Sequence, residues 1–463
     1  MKQQFFSRLL AGVLCLSPAI LSAQSKSLST LQQQFVDLRF GMFIHFNIPT
    51  FMDQDWPDPE TPATAFNPTK LDCNQWATTA KAANMSYGCL TTKHHSGFCI
   101  WDTKTTDYNV MNSPLKRDVV KEYVTAFRAK GLKVMLYYSI LDTHHKLRPH
   151  GITRQDIEMI KAQLTELLTN YGEITALIID GWDAPWSRIS YEDVPFDDIY
   201  HLVKTLQPNC LLMDLNAAKY PTDALFYTDI KSYEQGAGQH ISKESNQLPA
   251  LSCLPINQNW FWKKSFPTTP VKDPVKLVND NLVQLNKAWC NFILNVAPNR
   301  EGLIDDNAVA ALTQMGKMWK PAGPLPALPK GAAPITAQNF AKFQYSNSSW
   351  SDDMNIMDFA NDDNFRTSWQ SNAEVKQPWY EVDFDREKDF NMVTIVEDGE
   401  HIKKYQLEYN DGGVWKPLPA GVQQGRVRIH RFDAVRGGKV RIKIEESSAP
   451  PAIAEFGVYD ERK

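Results

Sequence analysis

The chain has 463 residues, about three times the size of a typical domain, which favours two or three domains or one large barrel with an addition. Hydrophobic residues make up 43% and charged residues 22% of the chain, which excludes a disordered chain, a collagen-like rod and a coiled coil. The 49 basic and 53 acidic residues give a net charge of −4, so we expect no nucleic-acid partner. The 13 tryptophans, 16 tyrosines and 23 phenylalanines fit either sugar-binding clefts or a large core with aromatic edges.

The first 23 residues have the features of a secretory signal peptide. Basic residues precede an apolar stretch from Leu9 to Leu21, and the small residues after it predict cleavage following Ala23. Leu14, which precedes Cys15, is not the small residue that a lipoprotein cleavage site requires. No later window approaches 18 uncharged apolar residues. We therefore expect a free periplasmic or secreted protein that does not insert into a membrane.

Residues 24–320 alternate short apolar runs with longer amphipathic stretches. The apolar runs, read as strands, are Gly41–Phe46, Tyr87–Lys93, Lys133–Ser139, Ile174–Gly181, Cys210–Asn216, Ala224–Ile230, Ala250–Ile256 and Asn291–Ala297. Helical spacing is present in Val119–Lys130, Arg154–Asn170, Phe196–Leu206, Val275–Ala288 and Asn307–Met318. Eight parallel strands joined by helical crossovers predict an α/β fold, a closed (β/α)8 TIM-like barrel. Lys231–Pro249 lacks a clear helix, so we expect an irregular outer layer there.

A proline-rich linker and a second domain follow the predicted barrel. Residues 321–334 contain five prolines and two glycines, a composition typical of a stiff linker. In residues 335–463 apolar and polar residues alternate with period two, in Tyr380–Phe384, Met392–Val396, Tyr405–Tyr409, Arg426–His430 and Lys439–Ile444. This pattern predicts an antiparallel β-sandwich.

Polar residues collect where the barrel strands end, the position at which βα loops converge. They are His45, Asn47, Lys93, His94, His95, Tyr138, Asp180, Asn216, Asp229, Glu234, Asn257 and Asn295. Asp180 ends a wholly apolar run, which places a carboxylate at the barrel mouth; the alternative is an Asp that caps the next helix.

Three histidines, His45, His94 and His95, could bind either a metal or sugar hydroxyls. Adjacent residues on a strand point to opposite faces, which disfavours one ion shared by His94 and His95, so we expect no metal and no cofactor. Neutral imidazoles fit a polyol ligand better. Four tryptophans are available to stack on sugar faces: Trp56, Trp182, Trp260 and Trp262. The chain has no Gly-rich phosphate loop, GxSxG or GxGxxG motif, which disfavours nucleotide and hydride chemistry.

Six segments between about residues 30 and 320 resemble successive landmarks of glycoside hydrolase family 29, the α-L-fucosidases. They are FGMFIHF, TTKHHSGFCIW, GLKVMLYYS, LIIDGW, NWFW and FILNVAPNREGLI. The resemblance implies a retaining (β/α)8 enzyme that removes terminal L-fucose from a fucosylated oligosaccharide or glycoconjugate through a covalent glycosyl-enzyme intermediate. It implies Asp180 as the nucleophile. It also implies fucose ligands and an aromatic wall, namely His45, His94 and His95 for the hydroxyls, Tyr138 in the pocket, and Trp260 and Trp262 against the methyl group.

The proton donor departs from the family pattern. Family members usually carry a glutamate on strand seven, where this chain has Leu251. A retaining hydrolase needs a second carboxyl about 5–5.5 Å from the nucleophile. Glu234 directly follows the sixth predicted strand and is assigned here as the acid/base, with a role in holding the sugar as its alternative. Glu244, in a charged loop, is the second candidate for the acid/base.

The C-terminal segments NDDNFRTSW, PWYEVDF and PAIAEFGVY resemble the discoidin-like (factor 5/8 type C) module. This resemblance implies a sugar-binding domain or a structural prop. It also implies a calcium loop at Asp362, Asp363 and Thr367, unless these acidic residues form an ordinary solvated turn.

Two other functions remain open for the whole chain. One is a related glycosidase with relaxed sugar choice, such as a galactosidase, because L-fucose is 6-deoxy-L-galactose. The other is a catalytically impaired glycan-binding protein.

Overall fold

The computed structural model describes residues 25–149, 151–182, 184, 186–191, 193–216, 228–239, 241, 246, 248–329, 337 and 339–461. The signal peptide expected at residues 1–23 and the alternative acid/base Glu244 lie outside these ranges. Within them, none of the helices combines the length and apolar character that a membrane span requires.

Eight parallel strands form the N-terminal barrel: β1 (Phe40–Ile44), β2 (Tyr87–Lys93), β3 (Lys133–Ser139), β4 (Ala176–Asp180), β5 (Leu211–Asp214), β6 (Lys231–Glu234), β7 (Ala250–Pro255) and β8 (Cys290–Asn295). The hydrogen-bonded ladder runs in the order β5-β4-β3-β2-β1-β8-β7-β6. Its two outer strands, β5 and β6, lie in contact and bring the sheet close to full closure. The predicted barrel is therefore confirmed.

Helices surround the strands and bury them on their outer side. They are α1 (Leu28–Val36), α2 (Ile48–Met52), α3 (Cys73–Ala82), α4 (Val119–Ala129), α5 (Arg154–Thr169), α6 (Phe196–Leu206), α7 (Pro274–Lys276), α8 (Val283–Lys287) and α9 (Asp306–Met318). A π-helical stretch, Leu277–Leu282, joins α7 to α8. The start of α5 is fixed by a capping box, in which Thr153 and Asp156 each bond the other's backbone N–H.

Strand residues divide between two apolar cores according to the side on which they project. Met135 and Tyr137 of β3 belong to the core inside the barrel, whereas Leu136 and Tyr138 belong to the core between the strands and the helices. This alternation follows from the two-residue repeat of a strand. It determines which strand-end side chains reach the barrel mouth.

The sixth strand differs from the prediction. It was expected at Ala224–Ile230, of which residues 224–227 lie outside the described ranges; β6 occupies Lys231–Glu234, inside the stretch expected to be irregular. Asp229 precedes the strand and accepts hydrogen bonds from Lys204 (2.6 Å) and from the backbone N–H of Leu212 near the start of β5 (2.7 Å). Asp229 is therefore held at the opposite end of the barrel from the mouth. Lys231 and Ser232, at the start of β6, are buried polar residues. They interrupt the apolar pattern from which a buried strand is predicted.

The C-terminal domain is antiparallel, as predicted. Its strands are β9 (Tyr345–Ser348), β10 (Trp369–Gln370), β11 (Trp379–Glu397), β12 (Ile402–Asp411), β13 (Val414–Pro417), β14 (Val427–Ser447) and β15 (Ala452–Tyr459). The order is β10-β15-β11-β14-β12-β13, with β9 paired to β11. Breaks in register divide β11 and β14, so that each long strand contains two of the shorter predicted strands.

The sandwich packs on the outer layer of the barrel. Met392, Val396, Ala454 and Tyr459 are buried in the same apolar cluster as the barrel helices. The two domains therefore share a continuous apolar contact.

Candidate active site

The barrel mouth contains a pocket of about 580 Å³ including its open end. Its lining consists of aromatic rings, imidazoles, carboxylates and one leucine, and within the described residues it includes no Lys or Arg: Phe43, His45, Asp55, Trp56, His94, His95, Asp180, Trp186, Leu215, Glu234, Trp260 and Phe261. The expected crowding of polar groups at the strand ends is thus present, with carboxylates that no lining cation neutralises.

Asp180 is the last residue of β4 and is almost completely buried. The Tyr137 hydroxyl donates to its Oδ2 (2.5 Å), and the Asn216 side-chain amide donates to its Oδ1 (3.0 Å). Burial raises the pKa of Asp180 to about 6, while the bonds from Tyr137, Asn216 and Gly181 oppose the rise. The next residue, Gly181, has φ +103°, a backbone conformation that favours glycine and lets the chain turn directly after the carboxylate.

Tyr138 does not line the pocket, which corrects the predicted sugar contact. It points outward from β3, and its hydroxyl donates to Gln163 of α5 (2.6 Å). The neighbouring Tyr137 points inward to Asp180 instead. Inside–outside alternation along β3 is the physical reason, because Tyr137 shares the inward face with Met135, whereas Tyr138 shares the outward face with Leu136.

Glu234 is the last residue of β6 and faces the same pocket as Asp180. The indole N–H of Trp260 donates to its Oε1 (3.0 Å). Burial and the nearby charge of Asp180 raise the pKa of Glu234 to about 7, although the bond from Trp260 acts to lower it. Leu251, at the place of the expected glutamate, is fully buried in the core inside the barrel. Glu234 is therefore a second carboxyl that is partly protonated near neutral pH.

The three predicted histidines line the pocket together and are buried. Burial lowers the pKa of His45 to about 3, against the effect of its bond to Asn295, and lowers that of His95 to about 3 with help from the His45 and Lys93 charges. Burial lowers the pKa of His94 far below its ordinary value. All three imidazole rings are therefore neutral at pH 6–7, the range in which Asp180 and Glu234 titrate.

Hydrogen bonds assign the tautomers of two of these rings. His45 Nδ1 lies 2.8 Å from the side-chain oxygen of Asn295, which can only accept, so His45 donates from Nδ1. His95 Nδ1 lies 2.7 Å from Ser139 Oγ, whose own proton goes to the Leu141 carbonyl. The Nε2 atoms of both rings are left as acceptors. His94 Nδ1 is buried without a hydrogen-bond partner among the described residues.

The metal argument made from the sequence needs correction. It placed His94 and His95 on opposite faces of a strand, but β2 ends at Lys93 and the two histidines lie in the following turn. Both rings face the pocket with centroids 3.9 Å apart. Ligand atoms of His94, His95 and Asp180 lie within 4.8 Å of one another, close enough for one ion. That the site binds no metal stays a prediction.

Two of the four predicted stacking tryptophans lie outside the pocket. Trp182 is fully buried and donates to the carbonyl of Val194 (3.0 Å). Trp262 donates to Asp305 (2.7 Å) and packs away from the mouth. Trp56 and Trp260 do line the pocket, and Phe261 takes the place expected for Trp262. Residues 256–261 form bends rather than a strand, so strand alternation does not determine which of these side chains face the pocket.

Other predicted strand-end residues support the structure around the pocket. Asn295 bridges His45 and the backbone carbonyl of Trp260 (2.8 and 2.7 Å). Asn47 caps α2, and the Asn257 carbonyl accepts from Lys272. Lys93 points outward to Asp142. Five lining residues were not predicted. Asp55, Trp186 and Phe261 lie on loops, Phe43 lies within β1, and Leu215 directly follows β5.

The residues of the expected calcium loop in the sandwich bond to one another and to Lys342. The Thr367 hydroxyl donates to Asp362 (2.8 Å), and Lys342 pairs with Asp363 (3.0 Å). The buried Glu455 lies nearby and retains one oxygen without a hydrogen-bond partner in the described part of the chain. These carboxylates do not gather tightly enough to form a ligand group among the described residues. Calcium binding at this loop stays a prediction.

A buried and a partly buried carboxyl with raised pKa values, neutral imidazoles and aromatic walls at the mouth of a (β/α)8 barrel define a glycoside hydrolase site. The sequence comparisons agree with this class. The chain matches the model of the family described as alpha-L-fucosidase over residues 50–323, more than half of its length. It therefore belongs to the alpha-L-fucosidase family of glycoside hydrolases. Residues 338–456 match the F5/8 type C domain.

Individual relatives resemble the whole chain. Alpha-L-fucosidase 1 of Arabidopsis thaliana is 28% identical over 466 aligned positions, which cover 93% of this chain and 87% of the relative. Among solved structures, alpha-L-fucosidase isoenzyme 1 from Paenibacillus thiaminolyticus has a TM-score of 0.54 at 23% identity, covering 91% of this chain and 100% of that one. A glycoside hydrolase 29 family member from an unknown rumen bacterium has a TM-score of 0.52 at 24% identity, covering 95% and 78%. At these identities the structural likeness concerns the fold alone.

Proposed function

We propose that this protein is an exported, retaining α-L-fucosidase that removes terminal L-fucose from glycans. The observation that carries the proposal is the pairing of Asp180 with Glu234 in one pocket, one carboxyl with a pKa of about 6 and the other of about 7. Near pH 6.5 this pair supplies an ionised carboxylate and a protonated acid in one pocket, the two groups that retaining hydrolysis requires.

In the first step, Asp180 attacks the anomeric carbon of the bound fucose while Glu234 donates its proton to the departing glycosidic oxygen. The C–O bond to the leaving group breaks as the bond to the Asp180 carboxylate forms, which gives a glycosyl ester. Tyr137 and Asn216 hold the two Asp180 oxygens and fix the direction of attack. Both donors also stabilise the ionised form that attacks.

In the second step, Glu234, now ionised, takes a proton from water as the water attacks the same carbon and displaces Asp180. Two displacements at one carbon return the original anomeric configuration. Trp260, bonded to Glu234 Oε1, keeps the carboxyl directed at the reacting oxygen in both steps. Loss of the Asp180 charge on forming the ester lowers the pKa of Glu234, which favours its change from acid to base.

The remaining lining groups suit a deoxysugar. The free Nε2 atoms of His45 and His95 accept hydrogen bonds from sugar hydroxyls, and the His94 ring lines the pocket beside them. Trp260 and Phe261 supply apolar surface for the C5 methyl group of fucose. This surface favours fucose over galactose, whose hydroxymethyl group would require a hydrogen-bond partner there.

The names of the relatives support fucose as the sugar. The signal peptide expected at residues 1–23 supports export. A galactosidase and a glycan-binding protein are the rival functions. Purified protein is incubated with 4-nitrophenyl α-L-fucoside and 4-nitrophenyl β-D-galactoside, and the first-formed anomer of the sugar is read by proton NMR. We expect the α-anomer of L-fucose and little turnover of the galactoside. Predominant galactoside cleavage, an inverted first product, or no release from either substrate would each contradict the proposal.

A further inference from the structure

A second cavity, of about 660 Å³ including its open end, lies at the opposite end of the barrel from the mouth. Two of its lining residues directly precede strands, Arg39 before β1 and Trp289 before β8. Its other polar groups are Asn286 and Lys287 of α8, and Trp319 adds a second indole ring to its apolar walls. Within the described residues this lining contains two cations and no carboxylate, whereas the mouth pocket contains carboxylates and no Lys or Arg. An anionic ligand would therefore distinguish the two ends of the barrel.

Two buried polar atoms of the lining have no hydrogen-bond partner in the described part of the chain, namely Arg39 Nε and Asn286 Oδ1. The Asn286 amide is oriented by two bonds, because its Nδ2 donates to the backbone carbonyls of Arg39 (3.1 Å) and Cys290 (3.2 Å). Its Oδ1 is therefore an acceptor that needs a donor, and the Arg39 Nε–H is a donor that needs an acceptor. Since a buried polar atom without a partner is unfavourable, both atoms point to a ligand that supplies the missing bonds.

Neither cation of the cavity has a carboxylate within ion-pair distance among the residues that the structure describes. Arg39 donates from Nη2 to the Gly323 carbonyl, and Lys287 Nζ lies 3.5 Å from the Gln284 side-chain oxygen. Lys287 is exposed, whereas Arg39 is partly buried. An anion in the cavity would be attracted by both charges, and more strongly by the guanidinium, because burial reduces solvent screening.

The backbone at Arg39 and Trp289 brings their side chains to the same cavity. Both residues have left-handed φ angles, +62° and +49°, which are unfavourable for residues that carry a Cβ. Neighbouring strands hold these conformations: the Arg39 carbonyl accepts from the Phe292 N–H (2.9 Å), and the Trp289 carbonyl accepts from the Ala250 N–H (3.1 Å). Residues that a fold maintains in this region often belong to functional sites, which agrees with a ligand site here.

The segment after α9 forms one side of the cavity and is fixed on the barrel. Leu325 and Pro326 of this segment line the cavity. The Leu325 N–H donates to Asp37 (2.8 Å), and the indole N–H of Trp289 donates to the Pro326 carbonyl (3.1 Å). These bonds form the cavity before a ligand arrives, which lowers the ordering cost of binding.

We propose that this cavity is a second ligand site, for a small organic anion that has a carboxylate, a flat apolar face and a hydroxyl group. The carboxylate accepts from Arg39 Nε and pairs with the Lys287 ammonium, while the hydroxyl donates to Asn286 Oδ1. The flat face packs on the indole rings. Aromatic hydroxy acids and uronic acids share this chemistry. The two pockets have no lining residue in common within the described chain, so this site does not depend on the proposed hydrolase activity.

The test measures binding of 4-hydroxybenzoate and of D-glucuronate to the full chain by isothermal titration calorimetry. The uncharged comparison ligand is 4-hydroxybenzyl alcohol, which keeps the ring and the hydroxyl. We expect at least one of the acids to bind one site per chain, with an affinity that falls as the salt concentration rises. The alcohol should bind at least about ten-fold more weakly, because it lacks the charge-assisted bonds. The tighter of the two acids identifies the source of the ligand, aromatic or sugar.

Two variants test whether the acid lies in this cavity. Arg39→Gln removes the partly buried cation and should raise Kd about ten- to a hundred-fold. Lys287→Gln should raise Kd about three- to ten-fold, and because this side chain is exposed, the variant decides the matter even if Arg39→Gln does not fold. Lys276→Gln removes an exposed lysine of α7 outside the cavity lining and should leave Kd unchanged. Thermal unfolding shows which variants are folded.

Three results would overturn this proposal without touching the chemistry assigned to the mouth pocket. One is no binding of either acid at concentrations of about 10 mM. Another is equal affinity for the alcohol and the acids, which would show that the site does not select anions. The third is an unchanged Kd in folded Lys287→Gln and Arg39→Gln, which would show that the acids bind elsewhere.

Discussion

Two buried carboxylates at the mouth end of the barrel have opposite acid–base behaviour. Asp180 lies in the pocket without a lining cation, and its burial raises its pKa to about 6. Asp142, in the loop after β3, lies 3.2 Å from the buried Lys93 ammonium. Burial alone would raise the pKa of Asp142 too, but Lys93 and His145 outweigh it and hold that pKa well below its usual range.

This difference separates a structural carboxylate from a reactive one. The Lys93–Asp142 pair joins the end of β2 to the loop after β3, next to the turn that carries His94 and His95. Gly97 in that turn has φ +83°, and a Cβ there would meet the Asp142 carboxylate at 2.2 Å, so the close approach requires glycine. Asp142 is paired with a buried cation and has a structural role, whereas Asp180 has no lining cation and its carboxylate is available to react.

The largest expected effect is that of Asp180→Asn on activity. The amide keeps the volume of the side chain but cannot form a glycosyl ester, so we expect kcat to fall at least about 10³-fold. The fold should persist, because the substitution removes a buried charge without a lining cation. Circular dichroism and thermal unfolding provide that control. A variant that is folded and retains a tenth of the activity would show that Asp180 is not the nucleophile.

Removal of the acid/base should depend on the leaving group. Glu234→Ala should lower kcat/KM by about 10²–10⁴-fold on a poor leaving group such as a sugar. Its effect on fucosyl fluoride should be far smaller, because fluoride departs without a proton. Azide should restore turnover as a glycosyl azide.

Glu244→Ala is the matched control for Glu234→Ala, since Glu244 is the second candidate. If only Glu244→Ala shows the leaving-group dependence and azide rescue, Glu234 has been assigned wrongly. If neither variant does, another group delivers the proton.

Removal of the cation that pairs with Asp142 should lower the stability of the fold. Lys93→Met leaves the buried Asp142 carboxylate without its lysine partner and with His145 as its remaining ionisable partner, and we expect the free energy of unfolding to fall by about 3–5 kcal/mol. Urea unfolding measures this fall. Lys416→Met breaks the exposed pair with Asp411 and should leave the unfolding midpoint unchanged. Equal unfolding midpoints for Lys93→Met and wild type would show that the buried pair does not stabilise the fold.

The pH profile follows from the two raised pKa values. Activity needs Asp180 ionised, which is lost as pH falls through about 6, and Glu234 protonated, which is lost as pH rises through about 7. The kcat/KM for a disaccharide should therefore peak between pH 6 and 7, with limbs that belong to the coupled pair. On fucosyl fluoride, whose departure needs no proton, the alkaline limb should be absent from wild type and from Glu234→Gln alike, and both should retain the acidic limb. An alkaline limb that persists in this variant would have to come from another group.

The smallest expected effect is that of a chelator. Neutral imidazoles that bind hydroxyls need no ion, so dialysis against EDTA should leave kcat/KM unchanged. Elemental analysis by mass spectrometry accompanies the assay. A stoichiometric transition metal that is lost in His94→Ala, and whose removal abolishes activity, would contradict the hydroxyl-binding role of the histidines.

Periodicity predicted the barrel well because its apolar runs and amphipathic helices repeat with distinct spacings; α6 was predicted with its observed bounds. The sixth strand was missed because burial of Lys231 and Ser232 breaks the apolar pattern. Strand ends led to the pocket positions of His45, Asp180 and Glu234. The choice between Tyr137 and Tyr138 required the strand register, and Trp186 required a loop conformation that no local spacing encodes.

The central claim is that Asp180 becomes covalently bonded to the sugar, and trapping tests it most directly. The protein is incubated with a 2-deoxy-2-fluoro-L-fucosyl fluoride, whose fluorine at C2 slows breakdown of the glycosyl ester, then digested and mapped by mass spectrometry. We predict one 2-fluorofucosyl group per chain, on the peptide that contains Asp180, and none on Asp180→Asn. A label on any other residue, or hydrolysis to the inverted anomer with no label, would contradict the account.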